Sequence, residues 1–328
     1  MPEVFETAEW FENLREYGFE DPPMTVWMAA SNAESAPGVA LGLMPVAGQR
    51  TGLASLSNYY ASLYGPVGDC RDLPPATWRA LAQRVRAHAQ GAIVVLQPLD
   101  EQGAFAQGMA RGLREAGYWV DRFFCFGNWY LRLNGQTYEH YYEQRPSALR
   151  HSIERGRRRL DRRGGWSLSI HTGAGEGLAE AIAAFEVVYG QSWKQAEPCP
   201  QFMPNLMRLA AAQGWLRLGL LSVDGAPVAA QLWLVYGGKA NIYKLAYVQG
   251  QERFSPGSVL TAAMMRHVID TDRVQEVDYL TGDDAYKQDW MGARRERIGL
   301  IAFDPLTASG LLAAARHFGA RAVKRLSA

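Results

Sequence analysis

The stretch ANIYKLAYVQGQERFSPGSVLTAAMMRHV (240–268), with VDYLTGDDAYKQDW (277–290) soon after it, decides how this chain folds. Residues 240–248 form an apolar run rich in β-formers, bounded by Gly237-Gly238 before it and Gly250 after it, which reads as a strand. Ser255-Pro256-Gly257-Ser258 opens a helix that reaches about residue 270. VQEVDYLT (274–281) is a second strand. Two neighbouring strands joined through a helix must run parallel. Thr281, Asp283, Asp284, Tyr286 and Lys287 gather directly after the second strand, where a strand–helix–strand unit carries its reactive groups.

The opening of that helix is chemically pointed. Ser255 suits an N-cap, and Pro256 suits the first helical position, where its missing N–H costs nothing. Gly257 and Ser258 keep the mouth free of bulk. First-turn N–H groups have no partner inside the helix, and the helix dipole adds partial positive charge there, so a phosphate is attracted. An ordinary capped helix would have the same residues; the cluster of acids and hydroxyls at the end of the next strand is what favours a site.

Working outward, WLRLGLLSV (215–223), PVAAQLWLVY (227–236) and the 240–248 strand are joined by Asp224-Gly225 and Gly237-Gly238, which predicts an antiparallel meander. Upstream lie the strand WSLSIHT (166–172), a helix with Leu178, Ile182, Phe185 and Val188 on one face, and a helix stopped at Gly214. Residues 139–165 read as helical pieces broken at Pro146 and closed by Gly164-Gly165. The first half predicts a strand pair at 25–30 and 38–47 across a connection containing Asn32 and Pro37. A helix at 74–90, a strand at 92–99, a helix at 102–116 closed by Gly117, and one or two strands at 118–133 follow. RERIGLIAF (295–303) adds a last strand. In the tail helix Leu311, Phe318 and Leu326 oppose Arg321, Lys324 and Arg325, which predicts packing on the domain or, alternatively, rest on a membrane surface. Both halves carry strands, a helix and a strand on a comparable scale. We therefore expect a duplicated α/β unit, divided as residues 1–135 and 136–328.

Composition narrows the function classes. Net charge is +1, so no global field draws the chain to DNA or to acidic membranes. The three cysteines, Cys70, Cys125 and Cys199, are far apart and odd in number, which fits reduced thiols in the cytoplasm. The N-terminal residues are acidic and lack a signal-peptide pattern, and no apolar run is long enough to span a bilayer. No G-x-S-x-G elbow is present. TGAGEG (172–177) fails the dinucleotide pattern because Leu178 stands at its third glycine position. Asp283-Asp284 has no His or Cys nearby to complete a metal site, so no metal is expected. His267 reads as a core or boundary histidine.

SPGSVL after IYKLAYV, then VDYLTGDDAYKQDW, resembles the GNAT acyltransferase superfamily, in particular the cellulose-biosynthesis-type acetyltransferases akin to the Fem-type peptidoglycan transferases. RGRRRLDRRGG (155–165), QSWK (191–194) and LLSVDGAPVAAQLWLVY (220–236) fit the same branch, so the resemblance spans roughly residues 155–303. It implies an α/β chain of two fused GNAT-like units, each a mixed, mostly antiparallel sheet flanked by helices, the second catalytic. It implies an acyl thioester donor, acyl-CoA first and an acyl-carrier protein second, held in a wedge between two splayed parallel strands. The diphosphate would rest on the N–H groups of Gly257, Ser258 and Val259. The loop departs from the usual Gln/Arg-x-x-Gly-x-Gly/Ala signature by holding one glycine, and Val248 stands where an Asp often follows Ala-Tyr.

The resemblance nominates Tyr286 as the acid that protonates the leaving sulfur; packing beside Trp290 is the other reading. Asp278, inside an apolar strand, needs a partner, expected to be Lys244 or Lys287; it could orient or deprotonate the incoming amine, or equally form a structural ion pair. Lys244 lies mid-strand, facing a cleft or solvent. Tyr243, Asp283, Asp284, Trp193 and Arg157 are candidate contacts to the acceptor, an amine on a small molecule or glycan precursor. Arg157 and Arg158 either contact a phosphate or lie on a solvated helix face; RNA is the weaker reading of the arginine run. The expected reaction is N-acyl transfer, with a Fem-like aminoacyl-tRNA-dependent transferase and a non-catalytic binding protein as the rival classes.

Overall fold

The computed structural model describes residues 1–30, 38–46, 48 and 51–326. The connection with Asn32 and Pro37, and the side chains of Lys324, Arg325 and Leu326, lie outside the described set. The strands are β1 (Val26–Ala30), β2 (Val39–Pro45), β3 (Gly52–Ser55), β4 (Ile93–Asp100), β5 (Trp119–Arg132), β6 (Trp166–His171), β7 (Leu216–Val223), β8 (Ala226–Tyr236), β9 (Lys239–Tyr247), β10 (Glu276–Asp278) and β11 (Ala293–Phe303).

Two compact units form. One comprises Phe5–Phe126 with Glu296–Ala328; the other comprises Met1–Val4 with Gly127–Arg295. The chain is thus cut three times, at 4/5, at 126/127 within β5, and at 295/296 within β11. The expected division at residue 135 gave the last strand and helix to the second half; here they complete the first unit.

In the first unit the strand order is β1-β2-β3-β4-β11. β3 and β4 are parallel and the other pairs antiparallel. The helices Pro75–Ala87 and Ala104–Glu115 meet where Trp78 lies against Gly108 and Gly112. A Cβ on Gly108 would come within 2.3 Å of the Trp78 ring, so glycine there permits the close approach. The predicted helices and the strand at 92–99 are present; β3, built of small residues, left no periodic signal.

The second unit orders its strands β5-β10-β9-β8-β7-β6. β6 pairs antiparallel with β7, and in the antiparallel meander β7 to β9 both connecting turns have positive φ at their two central residues, Asp224/Gly225 and Gly237/Gly238. That is the type I′ hairpin turn the dipeptides predicted. β8 is buried over seven consecutive residues, as befits a central strand. The helix Pro256–Arg266 lies over this sheet and joins β9 to β10, which pair in parallel as expected. Its inward side chains, Leu260, Met264 and Met265, are fully buried with Trp233, Val277 and Tyr279 in one core. No helix among the described residues is long and apolar enough to cross a membrane.

Candidate active site

β9 and β10 stay paired for three residues only, Glu276↔Lys239, Val277↔Ala240 and Asp278↔Asn241. β10 then ends, although the apolar sequence continues to Thr281. The reason is local. Leu280 takes a left-handed conformation (φ 55°), and its N–H donates to Asp278 Oδ1 at 2.7 Å. Asn128 Nδ2 donates to both Asp278 Oδ1 (2.6 Å) and the Leu280 carbonyl (3.0 Å). β9 meanwhile takes a bulge: its register against β8 shifts between Leu232 and Trp233, placing Tyr243 as the extra residue. A bulge bends its strand. The two parallel strands therefore part, and a cavity of about 370 Å³ opens beyond the parting point.

Asp278 does not line that cavity. It is buried and ion-paired with Arg295, which also bonds Glu276 (2.8 Å) and Asn128 Oδ1 (2.6 Å). Lys239 completes the cluster, 3.1 Å from Glu276 and in contact with Glu3. Burial alone would lower the Lys239 pKa, but Glu3, Asp278 and Glu276 together raise it. The expected partners Lys244 and Lys287 are replaced by Arg295 and Asn128, and this carboxylate fixes the turn that separates the strands.

The helix mouth forms one wall of the cavity, with Ser255, Pro256, Gly257 and Ser258 in the lining. Ser255 holds the N-cap position but adopts φ 46°, ψ 46°, and its side chain makes no capping bond. Its hydroxyl instead lies 3.3 Å from Ser152 Oγ. Left-handed backbone at a non-glycine residue costs about 1–3 kcal/mol and marks sites where geometry serves something other than stability. Here it leaves the N–H groups of Gly257 and Ser258 without a partner among the described residues. The Val259 N–H, expected to join them, donates to the Ser255 carbonyl at 3.0 Å; it is the fourth residue of the helical ladder and closes the first turn.

Gln231 holds the mouth from below. It is fully buried in β8, and its Nε2 donates to the Gly257 carbonyl (3.0 Å) and Thr261 Oγ1 (2.7 Å). Its Oε1 accepts from Trp233 Nε1 at 3.0 Å, so both ends of the amide are used. A buried glutamine inside an otherwise apolar strand was the sequence signal for this role.

Aromatic rings make the remaining walls: Trp193, Tyr247, Tyr279, Tyr286 and Trp290. Trp193, half exposed, packs against Tyr247 with centroids 4.5 Å apart. Tyr286 stands edge-on to Tyr279 at 5.8 Å and is 45% exposed. The short helix Ala285–Trp290 that carries it is tied at its end, where the Trp290 carbonyl accepts from Tyr141 Oη (2.9 Å) and Arg145 Nη1 (3.1 Å). Burial of the ring, with the Asp284 carboxylate close by, pushes the Tyr286 hydroxyl up to about 12. It therefore stays protonated at neutral pH and serves as a hydrogen-bond donor. Glu252 also lies in the lining, its Oε1 held by the Gly250 N–H at 3.0 Å.

The other nominated residues lie around the cavity but not in its lining. Lys287 is buried and donates to the carbonyls of Thr281 (2.6 Å) and Gly282 (3.3 Å), with Asp284 at 3.2 Å. It closes the loop that presents Tyr286. Asp283 is held by Arg294 (2.7 Å) and Trp129 Nε1 (2.8 Å). Lys244 pairs with Glu197 at 2.6 Å, and Glu197 also accepts from Tyr189. Glu197 Oε2 is buried with no hydrogen-bond partner. Tyr243 is half-buried in β9, and Arg157 is exposed on the helix Ser147–Arg163. Gly156 of that helix packs on the Phe254 carbonyl, where a Cβ would come within 2.4 Å, so the arginine run flanks the helix mouth. Among the described residues no group of three or more His, Cys, Asp or Glu could hold a metal ion.

Residues 147–288 match the family described as "Acetyltransferase (GNAT) domain". No curated protein sequence matches the chain. Among solved structures, FemX superposes with a TM-score of 0.65 at 11% identity, covering 92% of each chain. L-PGS from Bacillus licheniformis gives 0.54 at 12% identity, covering 95% of this chain and 98% of the other. The C-terminal (DUF2156) domain of an Agrobacterium fabrum protein assigned as a lysylphosphatidylglycerol synthetase gives 0.56 at 14%, covering 88% and 87%. At these identities the likeness is one of fold. The chain carries the α/β GNAT fold, and the domain match supports an acyltransferase.

Proposed function

We propose that this protein is an N-acyltransferase that moves an acyl group from a phosphate-bearing acyl thioester, acyl-CoA first, to an amine. The observation that carries this reading is the pair of unclaimed N–H groups at Gly257 and Ser258, set in the wall of a cavity that also holds the Tyr286 hydroxyl. Two charge-assisted hydrogen bonds reinforced by the helix dipole would hold the donor's diphosphate. The aromatic walls suit the thioester arm, which would run from the helix mouth toward the parting of β9 and β10.

Transfer needs a neutral amine, donors for the tetrahedral oxygen and relief of charge on the leaving sulfur. Tyr286 would serve the sulfur. A phenol at about 12 is a weaker acid than a thiol at about 8.5. It therefore stabilises the departing thiolate by hydrogen bonding, and full proton transfer runs uphill. No cysteine is among the lining residues, which favours direct attack by the amine over an acyl-enzyme. The acceptor is proposed as an amine on a sugar, amino acid or envelope-polymer precursor, in keeping with the cellulose-biosynthesis-type resemblance. The free thiols of Cys70, Cys125 and Cys199 fit a cytoplasmic setting.

One observation favours a second donor. Arg155, Arg157, Arg158, Arg159 and Arg162 are all exposed on the helix beside the mouth, and Arg159 Nη1 reaches the Arg253 carbonyl at 2.6 Å. Such a cationic stripe suits the phosphates of an aminoacyl-tRNA, whose ester would replace the thioester. Thermal-shift titration with CoA, acyl-CoAs and acyl-carrier protein, beside an RNA-binding titration at several salt concentrations, tests both donors. Stabilisation by acyl-CoA with no RNA affinity supports the thioester. Steeply salt-dependent RNA binding without a CoA shift supports the ester, and no response to any of them removes both.

A further inference from the structure

The helix Ala308–Leu326 leaves Leu311 and Leu312 exposed on the side turned away from the unit it packs on. Its inward side is made by Ala314, fully buried, by Gly310, and by His317 and Arg321, which both reach Asp121. Gly310 is pressed so close to the Asp304 carbonyl that a Cβ would stand 2.2 Å from it. Ala313 and Ala314 pack on Ile93, Phe303, Val95 and Ile301. The outward side carries Ala308, Leu311, Leu312, Ala315, Gly319 and Ala322, which recur at helical spacing around the adjacent leucines and are all exposed. Leu311 is 48% and Leu312 53% exposed, and Leu306 just before the helix reaches 83%. Phe318 sits at the edge of this stripe, touching Phe303 yet 38% exposed. A surface helix ordinarily turns such a stripe inward; here the helix packs on the domain through Ala313, Ala314 and Phe318 and leaves Leu311 and Leu312 about half exposed.

Charge says what covers the stripe. Residues 305–328 contain Arg316, Arg321, Lys324 and Arg325 and no Asp or Glu. The chain as a whole nets +1, so everything outside this segment nets −3. Arg316 is exposed beside this apolar face, while Arg321 is turned to Asp121; the positive charge of the segment is a property of its sequence. An apolar stripe flanked by cations is the pattern of a helix lying in the plane of an anionic membrane surface. The helix is too polar to cross a bilayer, so the contact is peripheral.

We propose that the helix 308–326 docks this protein on anionic lipid, with Leu306, Leu311, Leu312 and Phe318 entering the interface and Arg316 meeting headgroups. The test is vesicle flotation of the full chain, using phosphatidylglycerol–phosphatidylcholine vesicles and pure phosphatidylcholine vesicles. Wild type should float with the anionic vesicles, poorly with the neutral ones, and less as salt is raised. Leu311→Glu with Leu312→Glu should weaken flotation by about tenfold or more, while the melting temperature stays put because both side chains are exposed. Arg316→Glu, outside the stripe, should weaken anionic binding alone. No flotation of wild type at low salt would overturn the proposal, as would flotation unchanged in the double variant. Concentration-dependent dimers that the double variant abolishes, without vesicle binding, would also overturn it and assign the stripe to a second copy of the chain.

Discussion

Replacing Gly257 by leucine separates the mouth as a binding site from the mouth as a plain helix start. Gly257 has an ordinary helical backbone, so a side chain brings no φ strain. A Cβ there would sit 3.3 Å from Tyr247 Cδ1, a ring edge in the cavity wall. Anything longer than alanine must enter the space before the N–H groups. A hydrogen bond to a charged group is worth about 1.5–3 kcal/mol, so obstructing one raises the donor Kd by about 10- to 100-fold. For the apo protein the sign is opposite: glycine within a helix costs roughly 0.5–1 kcal/mol against alanine. Gly257→Ala should therefore leave apo stability equal or slightly higher and donor binding nearly intact. Gly257→Leu should lose the donor while the apo melt stays within a few degrees. In a thermal-shift assay at a donor concentration of about 100 Kd, wild type gains about 2.7 kcal/mol, and a tenfold weaker variant keeps about 1.4 kcal/mol. Isothermal titration gives the affinities directly. If Gly257→Leu binds acyl-CoA as wild type does, the reasoning about the mouth is wrong.

Four further outcomes follow from the same geometry. Tyr286→Phe should lower turnover about 100-fold with donor affinity unchanged; equal turnover would take Tyr286 out of the reaction. Asp278→Asn should destabilise by about 3–5 kcal/mol, since Arg295 and Lys239 lose a buried counter-charge. Donor affinity should fall with it as the turn that parts β9 and β10 loosens; a variant with normal stability and normal donor affinity would show that Asp278 does not hold the site. Gln231→Leu strands Trp233 Nε1 and loosens the Gly257 carbonyl, so it should cost about 1–3 kcal/mol and weaken the donor; chemical denaturation with titration reads both. Asp304 has its pKa lowered by bonds from Arg86 at 2.7 and 2.8 Å. That stabilisation is present above the unfolded value near 3.8 and is lost as pH falls through the lower folded value. Asp304→Asn should therefore lose stability at neutral pH and show a flatter acid limb, which urea melts from neutral to acid pH would reveal.

The parallel β9–helix–β10 unit was legible because its signals are local: apolar runs, a Ser-Pro opening, and glycine dipeptides at two hairpins. The parting of the strands was not. It depends on Asp278 meeting Asn128, 150 residues away, and on Arg295, which the sequence places outside the motif. Lys287 is nearer in sequence than Arg295, and Lys244 lies in the neighbouring strand, but Lys287 turns to the carbonyls of its own loop and Lys244 to Glu197. Val259 is not a third free donor because it is the fourth residue of the helix, and its N–H makes the first bond of the helical ladder to the Ser255 carbonyl. The aromatic wall was partly visible in Trp193 and Tyr286, whereas nothing local in the sequence marks Tyr247 and Tyr279 as lining a cavity. The tail helix showed its amphipathic pattern plainly, but which side faces the fold depends on Gly310, His317 and Arg321 fitting against their neighbours, and periodicity carries no such information.

The most direct test is a crystal structure of the protein soaked with acyl-CoA. The account predicts the diphosphate within hydrogen-bonding distance of the Gly257 and Ser258 N–H groups, with the thioester directed toward Tyr286. A donor bound elsewhere on the chain, or a mouth closed by the protein's own side chains, would contradict it.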